Sequence, residues 1–312
     1  MKKILVCLLI AISSMAFIGC GQNEKVSMPE KIINIGVMPD VESIPLIIAE
    51  KNGYFRKEGV KVNIEHFKSA RDRDSALQSG ELDGAVSDIL AVVFANEGGI
   101  NLKIICKNDG NIKLLAGQAS DIDSMEDLKG KSIGMSSNTI MEYTTDKMLE
   151  AARIDFEVIN KVAIPQIPTR LEMLQGGKVD AIILPEPLAG LAVKNGARVL
   201  HCTDQMAKKA GVIAFTSKSL QESPEEIKAV FQAYNEAVDY LQKAPVADYI
   251  DFIIEEQGFP EGLKESIELP QYTEAKLPEE EIVADVVRWM KDKELIKGSY
   301  EYNDLVEEII MR

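Results

Sequence analysis

The stretch IINIGVMPDVESIPLIIAEKNGYFRKEGVKVNIEHFKSARDRDSALQSGELDGAVSDILAVV, residues 32–93, decides the fold. Residues 32–37 form a short apolar run rich in β-branched side chains, the composition of a strand buried on both faces. Pro39, Asp40, Val41, Glu42 and Ser43 break that run, and a helix starts near Ile44 and ends by Gly53. Residues 60–67 alternate apolar and polar, as a second strand does. Residues 71–79 read as a polar helix closed by Gly80, residues 83–87 as a third strand, and Asp88 opens the next helix. Strands alternating with helices predict a parallel sheet with right-handed crossovers. Ligands of such sheets bind beyond the carboxyl ends of the strands. That rule gathers three loops around one site: residues 39–43, residues 68–71 and the Ser87-Asp88 pair.

The same syntax returns further on. LQSGELDGAV at residues 77–86 is echoed by LQGGKVDAII at residues 174–183, a shift of 97 positions. In both, a helix ends on leucine, a glycine supplies the left-handed exit and an aspartate precedes an apolar strand. Residues 132–139 repeat the strand, turn and helix start of residues 35–43. Two related lobes follow from this shared order.

A chain of 312 residues exceeds one ordinary core, which also argues for two domains. Apolar content of 46% and charged content of 27% fit a folded globular chain, and no later stretch is apolar enough to span a bilayer. The N-terminus differs. Lys2 and Lys3 precede an apolar core too short for a membrane helix, which reads as a signal peptide over residues 1–19. Removing it takes two lysines and no acid, leaving 33 basic against 50 acidic residues, a net charge of −17. So acidic a chain argues against nucleic-acid binding. Cys106 and Cys202 remain in the folded part and are expected as two small buried thiols rather than a disulfide. Only His66 and His201 exist, nothing has zinc-site spacing, and no cofactor is expected.

Beyond residue 100 the strands are expected at 101–106, 157–164, 179–184 and 197–201, with a helix at 168–175 and another opened by Pro185-Glu186-Pro187. Residues 111–117 leave the first lobe and residues 212–216 return to it. From Ser223 the chain is helical: Ser223-Pro224-Glu225-Glu226 has the form of a capping box, and amphipathic helices are expected at 245–257 and 278–291. The expected lobes are residues 30–112 with 213–312, and residues 113–212.

Several of these residues together resemble a known family. Phe17-Ile18-Gly19-Cys20 resembles a bacterial lipobox, with Cys20 as the acylated residue and residues 20–29 as a lipid-anchored tether. IIAEKNGYF at 47–55 with Glu58-Gly59-Val60, LQSGELD at 77–83, DLKGK at 127–131, Pro185-Glu186-Pro187 and the late Trp289-Met290 resemble the substrate-binding lipoproteins of ABC importers for nitrate, sulfonate, taurine and thiamine precursors. The resemblance implies an α/β, two-lobed type II periplasmic-binding-protein fold, each lobe a mostly parallel sheet flanked by helices. It implies a monomer with a small-molecule ligand, an ABC permease and ATPase as partners, and attachment to the outer face of the cell membrane. A ligand-sensing lipoprotein would use the same cleft. The fold also resembles pyrimidine-precursor synthases, but no nucleophile–base pair is recognisable here and no enzyme is expected.

The cleft candidates follow from position. Ser136, Ser137, Asn138 and Thr139 sit where strand becomes helix, where free N–H groups and hydroxyls suit an anion or carbonyl oxygen, or where Ser137 or Asn138 simply caps the helix. Asp88 and Glu186 hold nearly equivalent places in the two lobes. Asp40 and Ser43 belong to the first loop with Glu42, and Ser69, Arg71 and Ser87 to the next two. The acids favour a ligand with amine donors, while Arg71 and Arg73 favour a carboxylate, sulfonate or phosphate. The ligand stays open. Trp289, the only tryptophan, is expected far from the cleft, with Tyr143 and Phe94 as possible stacking partners.

Overall fold

The computed structural model describes residues 31–206, 209–264 and 266–309, so the signal peptide, the tether and Cys20 lie outside the described residues. Ten strands run β1 (Ile32–Val37), β2 (Lys61–His66), β3 (Gly84–Asp88), β4 (Leu102–Lys107), β5 (Ile112–Ala116), β6 (Ser132–Met135), β7 (Asn160–Ala163), β8 (Ala181–Pro185), β9 (Arg198–Cys202) and β10 (Gly211–Thr216). The helices are α1 (Ile44–Lys51), α2 (Tyr54–Lys57), α3 (Ala70–Ser79), α4 (Ile89–Glu97), α5 (Ile140–Ala151), α6 (Ile167–Gln175) and α7 (Leu188–Lys194). They continue as α8 (Ser217–Glu222), α9 (Pro224–Lys243), α10 (Ile250–Glu256), α11 (Glu280–Asp292) and α12 (Tyr302–Leu305).

Two five-stranded sheets form, in the orders β2-β1-β3-β10-β4 and β7-β6-β8-β5-β9. Three strands of each pair in parallel, and one strand of each runs antiparallel to both its neighbours: β10 in the first sheet, β5 in the second. Each antiparallel strand is the one that arrives from the other half of the chain. The sheets are therefore mixed, and their shared order is the two-lobed architecture expected from the repeat.

The repeat of 97 extends to single interactions. Arg73 on α3 and Arg170 on α6 are each about 1% exposed, and their guanidiniums donate to Val86 O at 3.0 Å and Ile183 O at 2.6 Å. Asp83 and Asp180 accept the main-chain N–H of Asn34 and Ser132 at 2.9 and 2.8 Å, which ties each third strand to the start of the first. Gly36 and Gly134 stand at equivalent crossings, where an added Cβ would lie 2.6 Å from Leu82 and 2.9 Å from Ile164. Only glycine lets those side chains lie on the strand.

The apolar interior is organised unequally. One cluster runs unbroken from Ile33, Ile35 and Val41 through Leu188 and Leu191 to Ile182 and Leu184, joining both sheets. On the other side two separate clusters form, one holding α4 and α11 and one holding α5 with β6. Apolar burial is the main stabilising term, so the first flank is the firmer joint.

Several sequence expectations need correction. The strand expected over 157–164 is only β7, because Phe156–Val158 form a 3-10 turn. The helix expected over 245–257 shortens to α10 after a turn at Val246–Asp248. Ser223 forms no capping box: it also ends α8, its N–H donates to Ser219 O, and its hydroxyl caps nothing. Cys106 is buried, with its thiol pushed up to about 12 by burial, and Cys202 is half-buried; both are free, as expected.

Candidate ligand-binding site

The carboxyl ends of the parallel strands and the amino ends of β5 and β10 meet between the sheets. Two crossovers join the sheets, residues 108–111 from β4 to β5 and a second from β9 to β10, of which residues 203–206 and 209–210 are described. Asn108 Nδ2 donates to Ser87 O and Val212 O at 3.4 Å, and Asn111 Nδ2 donates to Asp204 at 2.6 Å. Thr203 accepts from Ile112 N at 2.9 Å and donates to Asn111 Oδ1 at 3.0 Å. The two crossovers are thus bonded to each other rather than loose.

A narrow cavity of about 20 Å³ lies against them, room for about one water molecule. Glu42 from the first loop, Asn108 and Gly110 from one crossover, Thr203 and Lys209 from the other, and Ile140, Tyr143 and Thr144 from α5 line it. Glu42 Oε2 is buried with no hydrogen-bond partner, and so is the hydroxyl of Ser87. Burial first, and the neighbouring Asp40 carboxylate second, hold the Glu42 carboxyl well above the usual range. Lys209 is paired with Asp204 at 2.7 Å.

None of the eleven residues expected from the sequence lines this cavity. Asp40 is buried, accepts from Ser43 N at 3.1 Å and Ser43 Oγ at 2.7 Å, and is raised to about 6 by burial against those bonds. Asp88 is equally buried, accepts from Ala91 N at 2.9 Å as the cap of α4, and is raised to about 6 by burial against the pull of Arg73. Arg73 therefore sits in the field of both acids, chelating Asp74 at 2.7 Å, while Arg71 is exposed on α3. Ser69 caps α3 through Asp72 N. In the second sheet Ser136 accepts from Arg170 at 3.0 Å, and Thr139, rather than Ser137 or Asn138, caps α5. Ser137 and Asn138 are exposed, and Asn138 has φ +57°. Glu186 is fully buried between Lys113, at 2.6 Å, and Gly190 N, at 2.9 Å.

The amino end of α5 carries its own acid. Glu142 accepts from Asn138 N at 2.7 Å and pairs with Lys161 and Lys293 at 2.9 and 2.8 Å. Burial opposes its ionisation, but those donors outweigh it and hold the carboxyl at about 2. Lys293 comes from just past α11, which packs across onto α5. Trp289 donates to Asp146 at 3.2 Å and stacks edge-on against Tyr143 at 5.6 Å, and Tyr143 donates to Asp285 at 2.7 Å. This corrects the expectation that Trp289 lies far from the cleft: one ring separates it from the cavity. Phe94 does not line the cavity. Glu42, read from the sequence as an acid of the first loop, and Tyr143, read as a possible stacking partner, both line the cavity, whereas Asn108 carried no signal in the sequence. Among the described residues no cluster of acids, histidines and cysteines suits a metal.

A carboxyl raised on folding from 3.8 to about 6 stabilises the fold when protonated. That contribution is complete below about pH 4 and is lost as the pH rises through about 6. Urea unfolding of the wild type and Asp88→Asn should therefore diverge with pH. From pH 7 to pH 5 the wild type gains about 1 kcal/mol on the variant. Identical pH responses would mean that Asp88 titrates alike in both states.

Comparison with known proteins places this geometry. A Brachyspira hyodysenteriae protein assigned by name to the ABC transporter periplasmic binding proteins is 24% identical over 229 residues. The alignment covers 68% of this chain and 66% of that protein, just under two thirds of its length. A ligand-binding component of an ABC-type import system from Staphylococcus aureus, solved with zinc bound, superposes with a TM-score of 0.77 at 16% identity, covering 90% of this chain and 98% of that one. The periplasmic aliphatic sulphonate binding protein of Escherichia coli superposes at 0.75 and 19% identity, covering 89% and 98%. These likenesses show the two-lobed periplasmic-binding-protein fold. The family model described as NMT1/THI5 like matches residues 40–247, well over half of the sequence, and the chain belongs to that family.

Proposed function

We propose that this chain is the solute-binding component of an ABC importer, capturing a small polar molecule between its lobes and delivering it to a permease and its ATPase. One observation carries the reading: two copies of one strand order meet at a cavity walled by residues from both halves and by both crossovers. The lobes correspond to residues 30–112 with 213–312 and residues 113–212. Cys20 tethers the protein, through residues 20–29, to the outer face of the membrane, and the protein acts as a monomer.

The two flanks of the joint suggest how it works. The continuous apolar core on one side serves as the pivot, since parting it would expose buried surface. On the other side α5 and α11 meet through polar contacts: Tyr143 and Lys147 with Asp285, Trp289 with Asp146, and Lys293 with Glu142. Polar groups can exchange these contacts for water, as the continuous apolar core cannot, so that side opens. The cavity holds about one water molecule when shut, so a ligand enters the open form and favours closure by binding both lobes.

Trp289, the sole tryptophan, sits in that opening flank and reports it. Protein lacking residues 1–19, stripped by partial unfolding and refolded, is expected to show a change in tryptophan emission when the small molecule that co-purifies with it is returned. A one-to-one adduct should appear in native mass spectrometry of unstripped protein. No adduct together with an unchanged emission would contradict the reading. Cys20→Ala is expected to move the full chain from the membrane fraction to the supernatant; retention on the membrane would refute the anchor.

A further inference from the structure

We propose that the ligand is a small organic cation, a protonated amine, amidine or guanidine whose N–H donors meet the Glu42 carboxylate. The proposal rests on the binding-protein reading and adds the ligand's charge. An oxoanion needs free main-chain N–H groups at a helix start, or an unpaired guanidinium or ammonium. Among the described residues, the helix starts of α4, α5 and α7 and the cavity-lining ammonium are already taken. The start of α4 is occupied by Asp88, through Ala91 N at 2.9 Å. Glu142 occupies the start of α5 through Asn138 N at 2.7 Å, and Glu186 serves Gly190 N of α7 at 2.9 Å. Each of these acids would also repel an arriving anion.

The positive groups are equally engaged. Arg73 is buried on Val86 O and Asp74, and Arg170 on Ile183 O, Ile164 O and Ser136. The ammonium among the cavity-lining residues, Lys209, holds Asp204. What the cavity leaves open is an acceptor. Glu42 Oε2 is buried and unpartnered, and a buried acceptor without a donor is costly. Burial and the Asp40 carboxylate behind it disfavour the charged form of Glu42 against the pull of Lys209, and a cation entering the cavity supplies further positive charge and the missing hydrogen bonds. The ring of Tyr143 adds an aromatic wall of the kind that attracts cations. The solved sulphonate-binding relative shares the fold at 19% identity, and a shared fold does not carry over its ligand.

The test fractionates a bacterial small-molecule extract into cation-exchange-retained, anion-exchange-retained and unretained pools. Each pool is added to stripped wild-type protein, Glu42→Gln and Lys209→Ala, and thermal unfolding is followed. The expected result is stabilisation of the wild type by the cation pool alone, a loss of at least tenfold in apparent affinity in Glu42→Gln, and a gain in Lys209→Ala, which removes the ammonium that lines the same cavity. Glu42→Gln is near-isosteric; should it not fold, Lys209→Ala decides, since an anion site would lose its nearest ammonium. Stabilisation by the anion-retained or unretained pool overturns the ligand class and leaves the binding-protein reading standing. No stabilisation by any pool overturns both.

Discussion

Two buried guanidiniums hold the architecture in place. Burying a charge is costly unless it is bonded. Arg73 and Arg170, 97 residues apart, each meet that demand by donating to a carbonyl of the third strand of their own sheet. Each helix is thereby fixed against the strand that comes after it, β3 for α3 and β8 for α6. The carboxyl ends of the parallel strands carry the first loop, the Ser87-Asp88 turn and the start of α5. The environments of the two arginines differ. Arg73 lies among Asp74, Asp88 and Asp40, whose carboxylates outweigh its burial and hold its pKa up, whereas Arg170 has only neutral partners and burial lowers it to about 10. Equivalent arginines of the duplicated scaffold thus sit in different settings, acidic around Arg73 and neutral around Arg170.

That asymmetry shapes the cleft. Acids raised by burial gather on the first-lobe side, while the second-lobe side contributes Tyr143, Thr144 and Ile140 from α5. Between them pass the crossovers, bonded through Asn111, Thr203 and Asp204 into one double-stranded joint. The contact of α5 with α11 and Lys293 just past it carries ion pairs at distances near 3 Å.

Much of this was legible in the sequence. The order of elements in residues 32–93, the repeated LQSGELD and LQGGKVD segments and the two crossings between lobes needed only periodicity and turn chemistry. None of the eleven residues singled out from the sequence lines the cavity. Loops at strand ends were located correctly, but which side chain faces the cavity depends on loop geometry: Asp40 turns inward to Ser43, and Glu42 turns to the crossover. Arg71 and Arg73 could not be ranked by sequence: two residues apart on α3, they lie about half a turn from each other, one on the solvated face and one on the buried face. The traverse of α11 onto α5 was not legible at all. It depends on pairs such as Tyr143 with Asp285, 142 positions apart, which no local pattern encodes.

Hydrogen–deuterium exchange with and without the co-purified small molecule tests the central claim most directly. If the cleft between the lobes is the binding site, added protection falls on residues 40–43, 108–112, 140–144 and 209–211 together, drawn from both lobes and both crossovers. Protection confined to one lobe, with the crossovers unchanged, would contradict it.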